Sequence, residues 1–384
     1  MPDATTFTID GNRLTLLTEG PERLARLIAL IDGAERSVRL LFYIYVDDDA
    51  GIAVRDALVR AAGREVRVSL TVDGLGSEGA AGHQFFDSVA AAGVDVCRFV
   101  PRWGRRYLLR NHQKLAIADE ATAIVGGFNI EDAYFGTAAD GAWRDLGLAV
   151  EGSAAARLAG YYDALSHWAH QPRAPLRSLR RLLSTWSEPA GSLRWLLGGP
   201  TRRLSPWARV VKDDIRAARA VDIIAAYFAP SPGMIRRLDK AGVRGRVRIV
   251  LPSKNDHPAA LWAARFTYAG LLRKGVAIYE YQPTKLHTKL FVIDDVVHIG
   301  SANFDMRSLF LNLELMLRID DAAFAAHVRA YVDGEVAASE AITAELVRAR
   351  STWWVRTKQF AAWFVMAVLD PSVTRRLSFE SEER

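Results

Sequence analysis

Apolar and polar positions follow two alternating rhythms along this chain, and the whole alternation runs twice. In the first half, residues 37–46 (SVRLLFYIYV) are rich in aliphatic, β-branched and aromatic side chains, which predicts a buried strand. Residues 53–62 are spaced for a helix. EVRVSLTV (65–72) predicts the next strand, closed by the turn residues Asp73-Gly74-Leu75-Gly76. A helix through 85–92 and a strand near 94–100 complete the unit. In the second half AVDIIAAYF (220–228) matches 37–46, RVRIVLPS (246–253) matches EVRVSLTV, and KGVAIYEYQP (274–283) matches AGVDVCRFVP (92–101). Gly93 and Gly275 are 182 residues apart, as are Pro101 and Pro283. A period this long is no solenoid. It predicts a duplicated α/β domain, each copy a β-sheet flanked by helices.

The expected division is a first lobe over 1–171, a basic Trp- and Arg-rich connection over 172–210, a second lobe over 211–340 and an amphipathic tail over 341–384. The longest apolar run, Phe360 to Leu369, would make a helix of roughly 15 Å. That is half a bilayer core, and no window reaches the ~18 to 20 apolar residues of a spanning helix. The opening MPDATTFTID has neither the basic nor the apolar region of a signal peptide.

Composition narrows the partners. Half of the 384 residues are hydrophobic, enough for a sizeable core. The single cysteine, Cys97, excludes an internal disulfide and fits a reducing compartment. A net charge of +6 suits anionic partners: nucleic acid, anionic lipid or a phosphate-bearing small molecule.

The candidate chemistry lies in a pattern that also occurs twice. His112, Lys114 and Asp119 form His-x-Lys-x4-Asp, and His287, Lys289 and Asp294 repeat it 175 residues on. The tails match as well: Gly126-Gly127-x-Asn129 and Gly300-Ser301-x-Asn303. The first copy carries seven extra residues between proline and histidine, within the basic stretch RWGRRYLLRN. On a strand, His and Lys share a face, whereas Asp119 and Asp294, an odd number further along, face away and read as structural ties rather than bases. One strand offers one histidine, so a two-histidine site needs the two lobes face to face about a pseudo-twofold axis.

Such a site suits phosphoryl transfer. A neutral imidazole can attack phosphorus, and a second, protonated one can hand its proton to the leaving alkoxide. Lys114 and Lys289 would neutralise the phosphoryl oxygens, with Asn129, Ser301 and Asn303 as phosphate-binding donors. Asp145 and Glu314, each following a motif, are candidates to hold the second ring nitrogen of a histidine. Zinc is the rival reading of a histidine cluster, but adjacent lysines and the lack of cysteine ligands or a His-x3-His pair argue against it. No metal or cofactor is expected.

The twin motif resembles the phospholipase D superfamily. Finer features are similar to bacterial cardiolipin synthases: DGLGS (73–77), RNHQK (110–114), GGFNIEDAYFG (126–136), WRD (143–145), NDHP (255–258), YEYQ (279–282), LHTK (286–289), GSANFDMRS (300–308) and LNLE (311–314). The likeness runs from about 12 to 340, without the paired N-terminal membrane helices of some members. Between aspartate and glycine the second motif is one residue shorter, which implies a shorter hairpin and leaves the reach of Ser301 and Asn303 open.

The resemblance implies two phospholipase D-like lobes, each a mixed sheet, with the active site at their interface. It implies transfer of a phosphatidyl group from phosphatidylglycerol to the hydroxyl of a second phospholipid through a phosphohistidine. His112 is then the nucleophile, and His287 the acid and later the base. A hydrolytic phospholipase D, a nuclease whose 102–110 loop holds a DNA backbone, and a non-catalytic lipid-binding module are the alternatives; nucleic acid is not the expected partner. The expected place is peripheral, on an anionic membrane at the cytoplasmic side of the bacterial inner membrane. The tail, with Trp353, Trp354, Phe360, Trp363 and Phe364 among basic residues, either lies in that interface, helped by the Trp and Arg residues of 172–210, or packs on the core as a helix.

Overall fold

The computed structural model describes residues 5–369 apart from 78, 80, 101–108, 172–173 and 202–203. Most of the basic 102–110 loop, and the tail beyond 369 with Arg375 and Arg376, lie outside the described residues.

The first sheet contains β1 (Thr6–Ile9), β2 (Asn12–Leu17), β3 (Ser37–Phe42), β4 (Arg67–Asp73), β5 (Asp95–Phe99), β6 (Leu115–Ala118), β7 (Thr122–Gly126) and β8 (Gly147–Glu151), in the spatial order β1-β2-β8-β7-β6-β3-β4-β5. The second contains β9 (Leu193–Gly198), β10 (Ala220–Ile224), β12 (Arg246–Pro252), β13 (Val276–Tyr281), β14 (Leu290–Ile293), β15 (Val296–Gly300), β17 (Glu314–Asp320) and β18 (Ser339–Ile342), in the order β18-β13-β12-β10-β14-β15-β17-β9. Two short strands, β11 (Phe228–Ala229) and β16 (Phe304–Asp305), pair with each other. Both large sheets are mixed. β3, β4 and β5 run parallel, as do β10, β12 and β13, while the hairpins β6–β7 and β14–β15 run antiparallel beside them. The duplicated mixed α/β architecture expected from the sequence is borne out.

Three apolar cores follow from the buried faces. One lies within the first lobe, under the helices 20–32, 49–63 and 83–91. One lies within the second, under 206–217, 232–244 and 258–272. The third is shared: inner faces of both sheets, such as Leu115, Val125 and Leu148 with Leu290, Val292 and Ile299, pack around Tyr161, Tyr162 and Leu165 of the helix 153–170. Two sheets buried on both faces explain why their central strands read as continuous apolar runs rather than as alternations.

Three expectations shift. β3 ends at Phe42 and β10 at Ile224, both short of the hydrophobic runs; the chain beyond turns into the gap between the lobes, where Tyr43, Ile44, Val46 and Tyr227 line a cavity. The segment 172–210 is more than a connection. It supplies the edge strand β9, paired with β17, and the helix 176–186, whose Leu179 and Leu183 enter the shared core. Trp195 and Trp207 within and after β9 are buried, so they cannot assist at a membrane. The tail begins inside β18, which pairs with β13. Its helix Trp353–Phe364 starts at Thr352, whose hydroxyl accepts from Val355 N at 3.3 Å, and packs on the helix Pro258–Leu272 through Phe360 and Trp363 against Phe266. Its other face is open, with Trp353 and Trp354 64% and 60% exposed.

Candidate active site

The two histidines are placed by backbone pairing between the lobes. His112 N–H donates to Leu313 O at 3.0 Å and Leu313 N–H to Arg110 O at 2.9 Å. In the mirror arrangement His287 N–H donates to Arg144 O at 2.7 Å and Arg144 N–H to Lys285 O at 2.8 Å. Each bridge lies one residue before a carboxylate. Glu314 Oε2 is 3.1 Å from His112 Nδ1, and Asp145 Oδ2 is 2.6 Å from His287 Nδ1. Sequence order suggested that each carboxylate serves the histidine of its own motif. The pairing is crossed instead: each histidine is oriented from the opposite lobe. A carboxylate can only accept, so Nδ1 carries the proton and Nε2 keeps its lone pair.

Local sequence makes room for these pairs. Gly127 faces Asp145 so closely that a Cβ there would lie 2.5 Å from Oδ1, so the first tail requires glycine. At the matching position of the second lobe Ser301 donates to Glu314 Oε2 at 2.5 Å and accepts from Leu315 N at 3.0 Å. Ser301 was expected on the phosphate; its hydroxyl is spent on Glu314, and it is not part of the cavity wall. The shorter second hairpin does not displace the tail. Leu115 faces Val125 and Leu290 faces Ile299, so each motif keeps its register and the missing residue is lost from the turn. Asn129 and Asn303 both reach the cavity. Asn129 accepts from Ile44 N and donates to the Tyr134 hydroxyl, while Asn303 has a buried amide oxygen with no partner.

Asp119 and Asp294 sit at the far strand ends, roughly 20 Å of extended chain from their histidines. Asp119 accepts backbone N–H groups of Glu35, Arg36 and Ser37 at 2.7 to 2.9 Å, and Asp294 those of Arg219 and Ala220. Their φ angles of +53° and +48° are left-handed, a region aspartate tolerates. They tie the hairpins to the starts of β3 and β10, as the odd spacing implied, and stand outside the cavity.

Both lysines are buried. Lys114 Nζ donates to His112 O at 2.6 Å, and Lys289 Nζ donates to His287 O and lies 2.8 Å from His287 Nδ1. They stand behind the histidines rather than in the cavity wall, supplying positive potential instead of the direct contact expected. Burial, then Lys114, holds His112 below the ordinary imidazole value. Burial, then Lys289, presses His287 down to about 3. Burial also lowers Lys114 to about 7 and Lys289 to about 8. Asp145 is pushed up by burial, but Lys289 and His287 outweigh this and keep it below its usual value.

At about 3, His287 is neutral near pH 7. A bound phosphate would add the negative charge that favours protonation, so anion binding should draw protons in. Calorimetric titration with tungstate at pH 7.5, in buffers of different ionisation enthalpy, is expected to show net proton uptake that falls in His287→Gln. Uptake equal in the two proteins would show that His287 is not the group that charges.

The cavity is about 860 Å³ and is walled by both lobes. Sequence reasoning missed several of its parts. Tyr43 lies 4.9 Å from His112, and Tyr134 and Trp143 lie 5.1 and 5.3 Å from His287. These rings shield the imidazoles from water. Arg110 and Arg307 add positive charge to the wall. Asp73 fixes the approach to the first motif, accepting Asn111 N at 2.8 Å while capping Leu75 and Gly76. The strings DGLGS and WRD were visible signals for Asp73 and Trp143; nothing local marked Tyr43.

Known proteins share the sequence and the fold of this chain. The profile of the family described as "Cardiolipin synthase, PLD-like domain" matches residues 27–154 and 211–335. The major cardiolipin synthase ClsA of Bacillus subtilis is 30% identical over 382 residues, covering 94% of this chain and 76% of that protein. Cardiolipin synthase A of Pseudomonas entomophila is 32% identical over 343 residues, covering 87% of this chain and 71% of its own. Among solved structures, phosphatidylserine synthase of Haemophilus influenzae superposes with a TM-score of 0.74 at 12% identity, over 98% of this chain and 97% of that one, a likeness of fold. With one such unit in each half and the histidines meeting between them, the chain belongs to the cardiolipin synthase family of phospholipase D-like proteins.

Proposed function

We propose that this protein is a phosphatidyltransferase that makes cardiolipin from two phosphatidylglycerols at the surface of an anionic membrane, held peripherally on its cytoplasmic side. The observation that carries this reading is the pair of histidines facing one cavity, each with Nδ1 on a carboxylate of the other lobe. His112 Nε2 attacks phosphorus of the first lipid. The P–O bond to glycerol breaks, and the alkoxide takes a proton from His287. Glycerol leaves; the hydroxyl of a second phosphatidylglycerol enters, gives its proton to His287 and attacks the phosphohistidine, freeing His112.

The carboxylate geometry supports that division of labour. Asp145 lies closer to its histidine and gives it Oδ2, while Oδ1 accepts from Leu146 N at 2.7 Å; the Glu314 oxygen on His112 is itself shared with Ser301. Asp145 is the better countercharge for an imidazolium, which suits His287 as acid and base. Lys114, Lys289, Arg110 and Arg307 offset the phosphoryl charge.

Phosphatidylglycerol vesicles should yield glycerol and cardiolipin in equal amounts by mass spectrometry. Phosphatidic acid as the main product would make the enzyme a hydrolase; release of no glycerol would end the lipid reading. Because side chains supply the positive charge, excess chelator should leave turnover unchanged at fixed vesicle composition. Loss restored only by added metal would refute that account.

A further inference from the structure

We propose that the paired helices Pro258–Leu272 and Trp353–Phe364 form a rim that dips into the bilayer and holds the acyl chains of the substrate while its phosphate reaches the histidines; this rests on the phosphatidyltransferase reading.

The rim carries a row of large apolar side chains. Trp262 and Phe266 are one turn apart and share a face. Phe266 touches Phe360 with ring centroids at 5.5 Å, and Phe360 stacks on Phe364 at 5.9 Å. Trp262, Phe360, Phe364 and Val365 are exposed, and Trp353 stacks on Trp354 at the outer end. A row of this kind on a basic protein marks an interaction surface. Its composition points to lipid: large aromatics prefer the headgroup region, and the helix 353–364 carries Arg356 and Lys358 but no carboxylate, which suits anionic headgroups.

The same two helices also border the catalytic cavity. Ala259 and Ala260, at the start of one helix, and Met366, just past the end of the other, are part of the cavity wall. A cavity of about 860 Å³ suits a drug-sized ligand, so it can take headgroups and phosphate, and the acyl chains need another apolar place. None of the described helices is long and apolar enough to cross a membrane. A helix of 12 residues, roughly 18 Å, can lie in the interface with one face on the protein and the other in lipid. The two open readings of the tail therefore combine: the inner face belongs to the core and the outer face to the bilayer.

The test is the triple variant Trp353→Ser, Trp354→Ser, Phe364→Ser, none of which lines the cavity. Sedimentation with phosphatidylglycerol vesicles and turnover on them should each fall about tenfold or more. Turnover on monomeric dihexanoyl phosphatidylglycerol, whose short chains need no bilayer, should stay within about twofold of the parent, with an unchanged melting temperature. Undiminished vesicle binding would overturn the proposal, and so would an equal loss on the monomeric substrate, since the helix would then serve the fold or the site. If the parent protein releases no glycerol from either form of lipid, the phosphatidyltransferase reading fails, while the sedimentation arm still decides whether the rim binds membrane.

Discussion

Replacing His112 or His287 with alanine is expected to lower turnover by at least about 10³-fold, and replacing both to cost little more than either alone. Groups that act in one reaction cycle are strongly non-additive. Here each histidine has a task the other cannot take over. Attack without a proton donor expels no alkoxide, and a donor without a nucleophile has nothing to assist. Turnover should be followed as glycerol release on monomeric substrate, so that membrane binding does not enter. A single variant keeping a tenth of parental turnover, or a double variant whose losses multiply, would mean that the histidines do not form one site. The phosphoenzyme separates the roles: His287→Ala should still form a phosphatidyl-enzyme when the leaving group is a nitrophenol, which needs no acid, and His112→Ala should not.

The second large effect comes from the crossed carboxylates. Asp145→Asn and Glu314→Gln keep the shape but lose the charge, and an amide can offer N–H to Nδ1, which favours the wrong tautomer. A comparable loss in a hydrolytic triad costs on the order of 10⁴ in turnover, and a similar scale is expected here. The pairing makes a sharper prediction about coupling. Phosphoenzyme formation from the nitrophenyl ester needs no acid and so isolates His112: it should fall sharply in Glu314→Gln and hardly change in Asp145→Asn. If each carboxylate couples to the histidine of its own half, the crossed geometry is wrong. Asp145 neighbours the buried Lys289, so melting temperatures must accompany the rates.

The duplicated domain and the two motifs were legible because they rest on local pattern and on repetition. The facing of Asp119 and Asp294 was legible too, since strand periodicity needs no tertiary information. What the sequence hid was everything set by the meeting of the lobes. Tyr43 and Tyr227 look like continued strand because an apolar residue facing a cleft and one facing a sheet neighbour carry the same letter. Asp145 and Glu314 were found as candidates, but their crossing is a property of docking. Ser301 shares its place with Gly127, yet one donates to a carboxylate and the other makes room for one; only packing distinguishes them. The strand β9 was concealed by its surroundings of Arg, Pro and Gly. For the C-terminal helix, the pattern showed apolar residues nearly all round, and the structure divides them between Phe266 on one side and open surface on the other.

The crossed pairs also bear on when activity can appear during folding. His112 and Glu314 are 202 residues apart in sequence, and His287 and Asp145 are 142 apart. Contacts of such separation form late, after the entropy of closing long loops has been met. Either lobe can bury its own apolar core before then, and it would carry a histidine whose tautomer nothing fixes. During synthesis the first lobe leaves the ribosome with His112 but without Glu314, so it is chemically silent. In refolding, recovery of turnover should lag behind recovery of secondary structure, and a chain cut between the lobes should gain activity only as its fragments reassociate. On the proposed mechanism the arrangement acts as a proof of completion: a nucleophile able to cleave phospholipid would become competent only when the last strands have found their places.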